Sequence, residues 1–210
     1  MIVLGLTGSI GMGKSFAARA FARAGAAVFD ADGAVHRLIG SGGAAVGAIE
    51  NAFPGVTDGC GRDRWIERTR LAAHVFDAPA KLEKLEAVLH PKVRDETRNF
   101  LAAAASRGAW LAVLEVPLLF ETGGDARCDV SAVVWAPARV QRARVMGRAG
   151  MTLAKFAAIR SRQMSEREKF RRADFFIPTG NGVCATLREV RAIVRILKTR
   201  NSRCWPDCWE

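Results

Sequence analysis

The sequence predicts an α/β fold, with a parallel sheet of about five strands flanked by helices, a helical insertion and a basic helical segment. An apolar run at residues 2–7 leads into a glycine-rich loop, and a helical pattern follows the loop. Further short apolar runs alternate with helical stretches, as is typical of a parallel sheet. They lie at residues 26–29, 110–114, 130–135 and 174–177.

The loop reads GSIGMGKS at residues 8–15 and fits a phosphate-binding pattern. Glycines allow backbone N–H groups to point inward around an anionic oxygen. Lys14 brings an ammonium group to the β and γ phosphates, Ser15 offers a hydroxyl to Mg²⁺, and a helix over residues 14–24 directs its positive end at the anion. We therefore predict that a nucleoside triphosphate is bound by Gly8, Ser9, Ile10, Gly11, Met12, Gly13, Lys14 and Ser15. The loop alone leaves open a kinase, a GTPase or a motor.

Length, composition and charge limit the classes of protein to which the sequence can belong. The 210 residues are half hydrophobic, which suits one α/β domain with an elaboration. No apolar run has the length of a membrane span, and the N-terminus reads as strand and loop, so we expect a cytoplasmic protein. Five scattered cysteines predict free thiols. The net charge of +11 predicts an anionic partner without choosing between nucleotide and nucleic acid.

Carboxylates follow two of the predicted strands. The second strand ends in Asp30-Ala31-Asp32, and the carboxyl ends of parallel strands face the ligand crevice. We expect Asp32 near the reacting phosphate, although either aspartate is also a candidate cap for the helix beginning near residue 31. Glu115 follows the third strand, where it either holds a metal-bound water or pairs with a basic residue.

The predicted organisation has four parts. Residues 1–33, 107–138 and 173–200 form the nucleotide-binding core, residues 34–106 an all-helical acceptor-binding insertion, residues 139–172 a lid, and residues 201–210 a loosely ordered tail. The lid carries eleven Arg or Lys and two acids, and we expect it to close over the triphosphate, with a solvated helix face as the alternative. The predicted helices cover residues 44–53, 64–76, 79–89, 91–105, 137–148, 151–172 and 183–198.

Several short motifs together resemble the dephospho-coenzyme A kinases, over about residues 2–198. They are GLTGSIGMGKS at 5–15, DAD at 30–32, IERTRLAAHVF at 66–76, LHPKV at 89–93, VPLLFE at 116–121, and the segment from Gln163-Met164 to Ala173-Asp174. The resemblance implies a P-loop kinase fold and transfer of the ATP γ-phosphoryl group, with Mg²⁺, to the ribose 3′-hydroxyl of dephospho-coenzyme A. It implies Asp32 as the base, with Lys14 and Arg148 as catalytic cations.

The resemblance also suggests how the acceptor is bound. We expect the acceptor to contact Thr7, His90, Arg94 and Glu115, with His90 at the junction of two helices. The expected partner is this small molecule, with no nucleic acid and no membrane, in a monomer or small homo-oligomer.

Three positions depart from the family pattern. Phe16 stands where Thr is usual, Glu115 where Asp is common, and Pro178-Thr179 where an Asp-Asn pair is common. The last change leaves Asn181 or the backbone as alternatives for contacting adenine.

Two other functions remain as alternatives. One is a different small-molecule kinase, of the nucleoside monophosphate or shikimate type, against which the helical insertion and the His90-Pro91 pair argue. The other is a nucleic-acid binder that uses the basic residues to grip phosphates. The absence of tyrosine and of interleaved aromatic and basic residues argues against it.

Overall fold

The computed structural model of the chain describes residues 1–75 and 78–209, and within them it has seven strands. In chain order they are β1 (Ile2–Thr7), β2 (Ala27–Asp30), β3 (Thr57–Asp58), β4 (Trp65–Ile66), β5 (Leu111–Glu115), β6 (Val130–Trp135) and β7 (Phe175–Pro178). Five of these strands form a parallel sheet in the order β2-β5-β1-β6-β7. The predicted five-stranded parallel sheet is therefore confirmed.

The helices of the described residues surround this sheet or build the insertion. They are α1 (Lys14–Arg23), α2 (Ala31–Ile39), α3 (Val46–Ala52), α4 (Arg68–Val75), α5 (Pro79–Ser106), α6 (Ala138–Met146), α7 (Leu153–Ser161), α8 (Glu166–Arg172) and α9 (Val183–Leu197). In this part of the chain, no helix combines the length and the apolar composition needed to cross a bilayer.

The chain divides into two compact units, of which the first holds residues 1–30 and 101–210. Strands β1, β5 and β6 are almost wholly buried, as expected for a parallel sheet covered on both faces. Phe21 of α1 and Val190 of α9 share one core cluster with Leu4 and Val113 of the sheet. Leu119, Phe120 and Val133 form a second cluster.

The second unit, residues 31–100, has its own core around Leu38, Ile49, Phe53 and Ile66. It is not all-helical as predicted, because β3 and β4 form a small antiparallel hairpin. Each strand has only two residues, too few to show an alternating pattern in the sequence. The predicted helix 64–76 is shorter and covers Arg68–Val75, and Phe76 lies outside the described residues.

The prediction of two helices that meet at His90-Pro91 is wrong, because α5 runs through this pair. It is one helix of 28 residues with Pro91 inside it. Pro91 lacks the N–H that would bond to the carbonyl four residues earlier, which normally ends or kinks a helix. The segments on both sides are rich in Leu, Glu, Lys, Arg and Ala, which favour helix strongly enough to continue through the proline. His90 is therefore a mid-helix residue.

In the basic segment, residues 139–172, the stretch predicted to be helical at 151–172 consists of two helices, α7 and α8, with a break at residues 162–165. Ser165 starts α8 with a capping box: its hydroxyl accepts the Glu168 N–H, and the Glu168 side chain accepts the Ser165 N–H. These bonds from Ser165 hold the pKa of Glu168 below its usual range. The Ser-x-x-Glu spacing was visible in the sequence.

The C-terminal tail is held in place, contrary to the expectation of loose order. The Ser202 hydroxyl donates to the Met1 carbonyl at 2.7 Å, and the Cys204 N–H donates to Asp129 at 3.0 Å. The Trp209 indole N–H donates to the Arg127 carbonyl at 3.0 Å. Specific polar contacts of this kind leave no periodic signal in a sequence.

Candidate active site

The phosphate loop joins β1 to α1 in the first unit, at the carboxyl end of the sheet. Lys14 Nζ donates to the Gly8 carbonyl at 2.8 Å, so the lysine folds back over its own loop. Gly13 precedes α1 with φ of 93°, a conformation that favours glycine. A Cβ at Gly8 would lie 2.7 Å from the Val134 carbonyl oxygen, so only glycine fits there. The loop thus has the strand before and the helix after that phosphate binding requires.

Two carboxylates end neighbouring strands at the edge of the sheet that carries this loop. Asp30 and Glu115 are register partners at the ends of β2 and β5. The Ser15 hydroxyl donates to Glu115 Oε1 at 2.8 Å, and the glutamate is largely buried. This bond from the loop serine is neither of the two roles predicted for Glu115, which were to hold a metal-bound water or to pair with a basic residue. The extra methylene relative to Asp does not prevent this contact.

The donor atoms at this edge suit Mg²⁺. Ser15 and Glu115 offer hard oxygen ligands, which this ion prefers. Among the described residues, no group of three or more His, Cys, Asp or Glu side chains is arranged to hold a metal by itself. Mg²⁺ commonly binds through one or two protein oxygens together with substrate phosphates. The residues present therefore fit a magnesium ion that arrives with a nucleotide.

Thr179 and Arg144 support the loop from the side of β6 and β7, and the sequence did not identify either as a site residue. Thr179 Oγ1 donates to the Met12 carbonyl at 2.5 Å. Arg144 donates to Thr179 Oγ1 at 3.1 Å and to the Thr179 carbonyl at 2.7 Å. Thr179 occupies the second position of the family's usual Asp-Asn pair, so this departure supplies a buried hydroxyl beneath the loop.

The basic segment contacts the loop on another side. Gln141 of α6 donates to the Ile10 carbonyl at 2.8 Å. Gln163, just before α8, accepts the Ile10 N–H at 3.1 Å. Ser9 bonds to Glu166 and Lys169 of α8. These contacts join residues far apart in sequence, and no local pattern signals them.

Thr7 and Arg148, two other predicted site residues, also belong to this unit. Thr7 is fully buried, and its hydroxyl donates to the Pro117 carbonyl at 3.1 Å, linking the end of β1 to the segment after β5. Arg148 is exposed and lies two residues beyond the end of α6, not on the helix as predicted. Gly147 ends the helix before it.

The remaining predicted residues belong to the second unit. Asp32 is exposed in the first turn of α2, and its carbonyl oxygen is bonded to the His36 ring at 2.9 Å. His90 and Arg94 are exposed on α5. Because they are four residues apart in one helix, they share a face.

A parallel sheet of this order, with a phosphate loop between β1 and α1 and oxygen ligands at the same edge, defines a P-loop kinase. Solved structures with the same fold include a dephospho-CoA kinase from Campylobacter jejuni, with a TM-score of 0.60 and 21% identity over 93% of this chain and 96% of the other. A shikimate kinase from Aquifex aeolicus has a TM-score of 0.53 at 11% identity, over 94% of this chain and 99% of the other.

The dephospho-CoA kinase family model matches residues 2–184. A dephospho-CoA kinase from Mesorhizobium japonicum is 51% identical over 199 residues, covering 94% of this chain and 98% of the relative. One from Rhodopseudomonas palustris is 47% identical over 205 residues, covering 96% and 100%. The chain belongs to the dephospho-CoA kinase family and is an ATP-dependent kinase of the transferase class.

Proposed function

We propose that the protein transfers the γ-phosphoryl group of ATP to the 3′-hydroxyl of the ribose of dephospho-coenzyme A, giving coenzyme A and ADP. Membership of the family supports the reaction and its acceptor. The observation that carries the residue assignment is the phosphate loop, in which Lys14 folds back over the glycines at the carboxyl end of the sheet.

Lys14 and Arg148 are the proposed cations of the transfer. Charge in the transition state is spread over the equatorial oxygens of the transferred group, so positioning and electrostatic stabilisation supply most of the catalysis. Lys14 leaves the Gly8 carbonyl and moves to the β and γ phosphates, while other N–H groups of the loop hold the remaining oxygens. The N–H groups of Ile10 and Met12 are not among them, because they are bonded to Gln163 and to the Ser9 carbonyl. Arg148 has an exposed side chain in a turn, free of the geometric limits of a helix.

Asp32 is the proposed general base. It orients the ribose hydroxyl and accepts its proton as the bond to phosphorus forms. Its side chain is exposed in the first turn of α2, where a carboxylate is favoured by the positive end of the helix.

His90 and Arg94 are the proposed acceptor ligands of the second unit. Their shared face on α5 presents an imidazole and a guanidinium, and the guanidinium suits the phosphate oxygens of the acceptor. Glu115 acts by fixing the Ser15 hydroxyl, and Thr7 acts by fixing the segment after β5.

Mg²⁺ is proposed as the metal, held by Ser15 with Glu115 beside it. When bound with ATP, it neutralises charge on the phosphate oxygens. We further propose a cytoplasmic monomer or small homo-oligomer, with no nucleic-acid or membrane partner, because the phosphates of ATP and the acceptor account for the basic composition.

A coupled assay of ADP release, run with and without dephospho-coenzyme A, tests this function. We expect turnover to depend on dephospho-coenzyme A and to be at least 100-fold weaker with shikimate or nucleoside monophosphates. Faster turnover of another acceptor would overturn the substrate assignment. No turnover of any acceptor, with tight and strongly salt-dependent binding of oligonucleotides, would instead favour nucleic-acid binding.

A further inference from the structure

The side chain of Lys169 is completely buried in the first unit, although it carries a charge that belongs in water. Its ammonium nitrogen lies 3.0 Å from Ser9 Oγ and 3.4 Å from Glu121 Oε1. Burial of an ammonium is costly unless it is paired and hydrogen-bonded. Lys169 meets both conditions, and one of its partners is a residue of the phosphate loop.

The same cluster fixes the direction of the Ser9 hydroxyl. An ammonium group only donates hydrogen bonds, so Ser9 Oγ must accept from Lys169. Ser9 has one hydroxyl proton, and it is donated to Glu166 Oε1. The Ser9 hydroxyl therefore has no proton left to donate to a phosphate, and the backbone N–H is the one donor group of this residue that can do so.

Further bonds join the start of α8 to its surroundings. Glu121 Oε1 also accepts the Met164 N–H at 2.7 Å, so the acid that pairs with Lys169 holds the chain before α8. Gln163 accepts the Ile10 N–H. Within the described residues, Glu121 Oε2 and Glu166 Oε2 are buried without a hydrogen-bond partner. Glu121 thus pairs with the Lys169 ammonium directly, whereas Glu166 is joined to it through the Ser9 hydroxyl.

Helix α7, in the same basic segment, is held much less firmly. Phe156 is the one buried residue among its described members. A groove of about 650 Å³ lies between α6 and α7, lined by Gln141, Arg142, Phe156 and Arg160 among others. The basic segment is therefore not uniform, because α6 and α8 bond to the phosphate loop whereas α7 does not.

We propose that Lys169 is a positioning residue of the phosphate loop. It holds the loop through Ser9 and so ties α8 to the nucleotide site. Helix α8 is then a fixed support of the loop, and the part of the basic segment that moves with nucleotide is α7. The inference rests on ATP binding by the loop as proposed above, and it adds a residue that touches neither substrate.

Kinetics of Lys169→Met, Ser9→Ala and the double variant test this role. We expect Lys169→Met to raise the Kd and KM for ATP about tenfold, with the KM for dephospho-coenzyme A within about twofold. Because both residues act through one contact, the double variant should be no worse for ATP than Lys169→Met alone. Lys198→Met is the matched control, since it removes the same charge from an exposed site above Trp110, away from the loop.

Two outcomes would overturn the proposal. One is a fall in melting temperature for Lys169→Met with the Kd for ATP within twofold of the parent protein, which is the result of a purely structural role. The other is a double variant whose loss of ATP binding free energy equals the sum of the losses in the two single variants. If Lys169→Met does not fold, Ser9→Ala alone applies the test, because it removes the contact with Lys169, and a Kd for ATP within twofold of the parent protein would then overturn the proposal.

Hydrogen exchange tests the division of the basic segment. We expect the amides of α8 to be protected with and without ATP, and those of α7 to gain protection only with ATP. Equal gains in both helices would contradict a fixed α8. The Kd for ATP in the Lys169 and Ser9 variants is measured by direct binding, without the acceptor. Loss of acceptor turnover would therefore count against the proposed function and not against the role of Lys169.

Discussion

The two units of the protein hold their candidate functional residues in different ways. In the first unit, loop residues are bound from several directions: Ser9 by Lys169, Ile10 by Gln141 and Gln163, and Ser15 by Glu115. In the second unit, Asp32, His90 and Arg94 have exposed side chains on helices. The residues proposed to bind the triphosphate are therefore held by hydrogen bonds, whereas those proposed for the acceptor and its proton are exposed.

This difference suits the two substrates. Electrostatic stabilisation of a transferring phosphoryl group depends on donors that are already in place, because reorganising them costs free energy during the reaction. An acceptor with a long flexible body needs residues that adapt to it. Substitutions of the proposed site residues in the first unit should therefore change the kinetic constants for ATP. Those in the second unit should change the KM for the acceptor or the rate of proton transfer.

The largest effect is expected from Lys14→Met. Removing the ammonium from the phosphate loop should lower kcat/KM for ATP by about 10³-fold or more, because it stabilises charge in the transition state. Steady-state ADP release measures this, with Lys198→Met as the charge-matched control. A loss below tenfold in a folded variant would show that Lys14 is dispensable.

The next effect is expected from Asp32→Asn, which probes the second unit. Loss of the base should lower kcat by about 100-fold or more, with the KM for ATP within about threefold. The amide keeps the size and hydrogen-bonding capacity of the side chain, so a large loss reports on proton acceptance. A rate within threefold of the parent would refute Asp32 as the base.

Gly13→Ala should have a smaller effect on catalysis, limited to the binding of ATP. The added Cβ would lie 3.0 Å from Thr179 Oγ1 at a φ of 93°, so the loop must shift. We expect about a tenfold loss of ATP affinity and about 1 kcal/mol of stability. Gly55→Ala is a matched control in the second unit, with φ of 85° and open space around its Cβ. It should lose similar stability and keep ATP affinity, and equal ATP losses in the two variants would contradict the steric argument.

The smallest effects are expected from His90→Ala and Arg94→Ala. Each should raise the KM for dephospho-coenzyme A about three- to tenfold, because one contact to the acceptor is removed, and leave the KM for ATP unchanged. Lys81→Ala is the control, since Lys81 lies on the opposite side of α5 by helical periodicity. If all three variants behave alike, α5 does not bind the acceptor through this face.

The sequence predicted those parts of the molecule that have a local signal. The phosphate loop needs its glycines, lysine and serine in consecutive positions, so its pattern is readable without coordinates. Buried parallel strands are nearly continuous apolar runs, and each of the five core strands was located within one or two residues. The errors arose where the local signal misleads, as at Pro91 in α5, or is too short, as in the β3–β4 hairpin.

The sequence by itself determined the strands, the loop and the family motifs, because each of these is encoded in residues that are neighbours in the chain. The tertiary structure decided what holds the loop: Lys169 and Ser9 are 160 positions apart, and Thr179 and Met12 are 167 apart. It also decided that α8 and the C-terminal tail are bound to their surroundings. Hydrogen bonds between buried polar groups depend on which distant residues the fold brings within about 3 Å, and no periodicity records that.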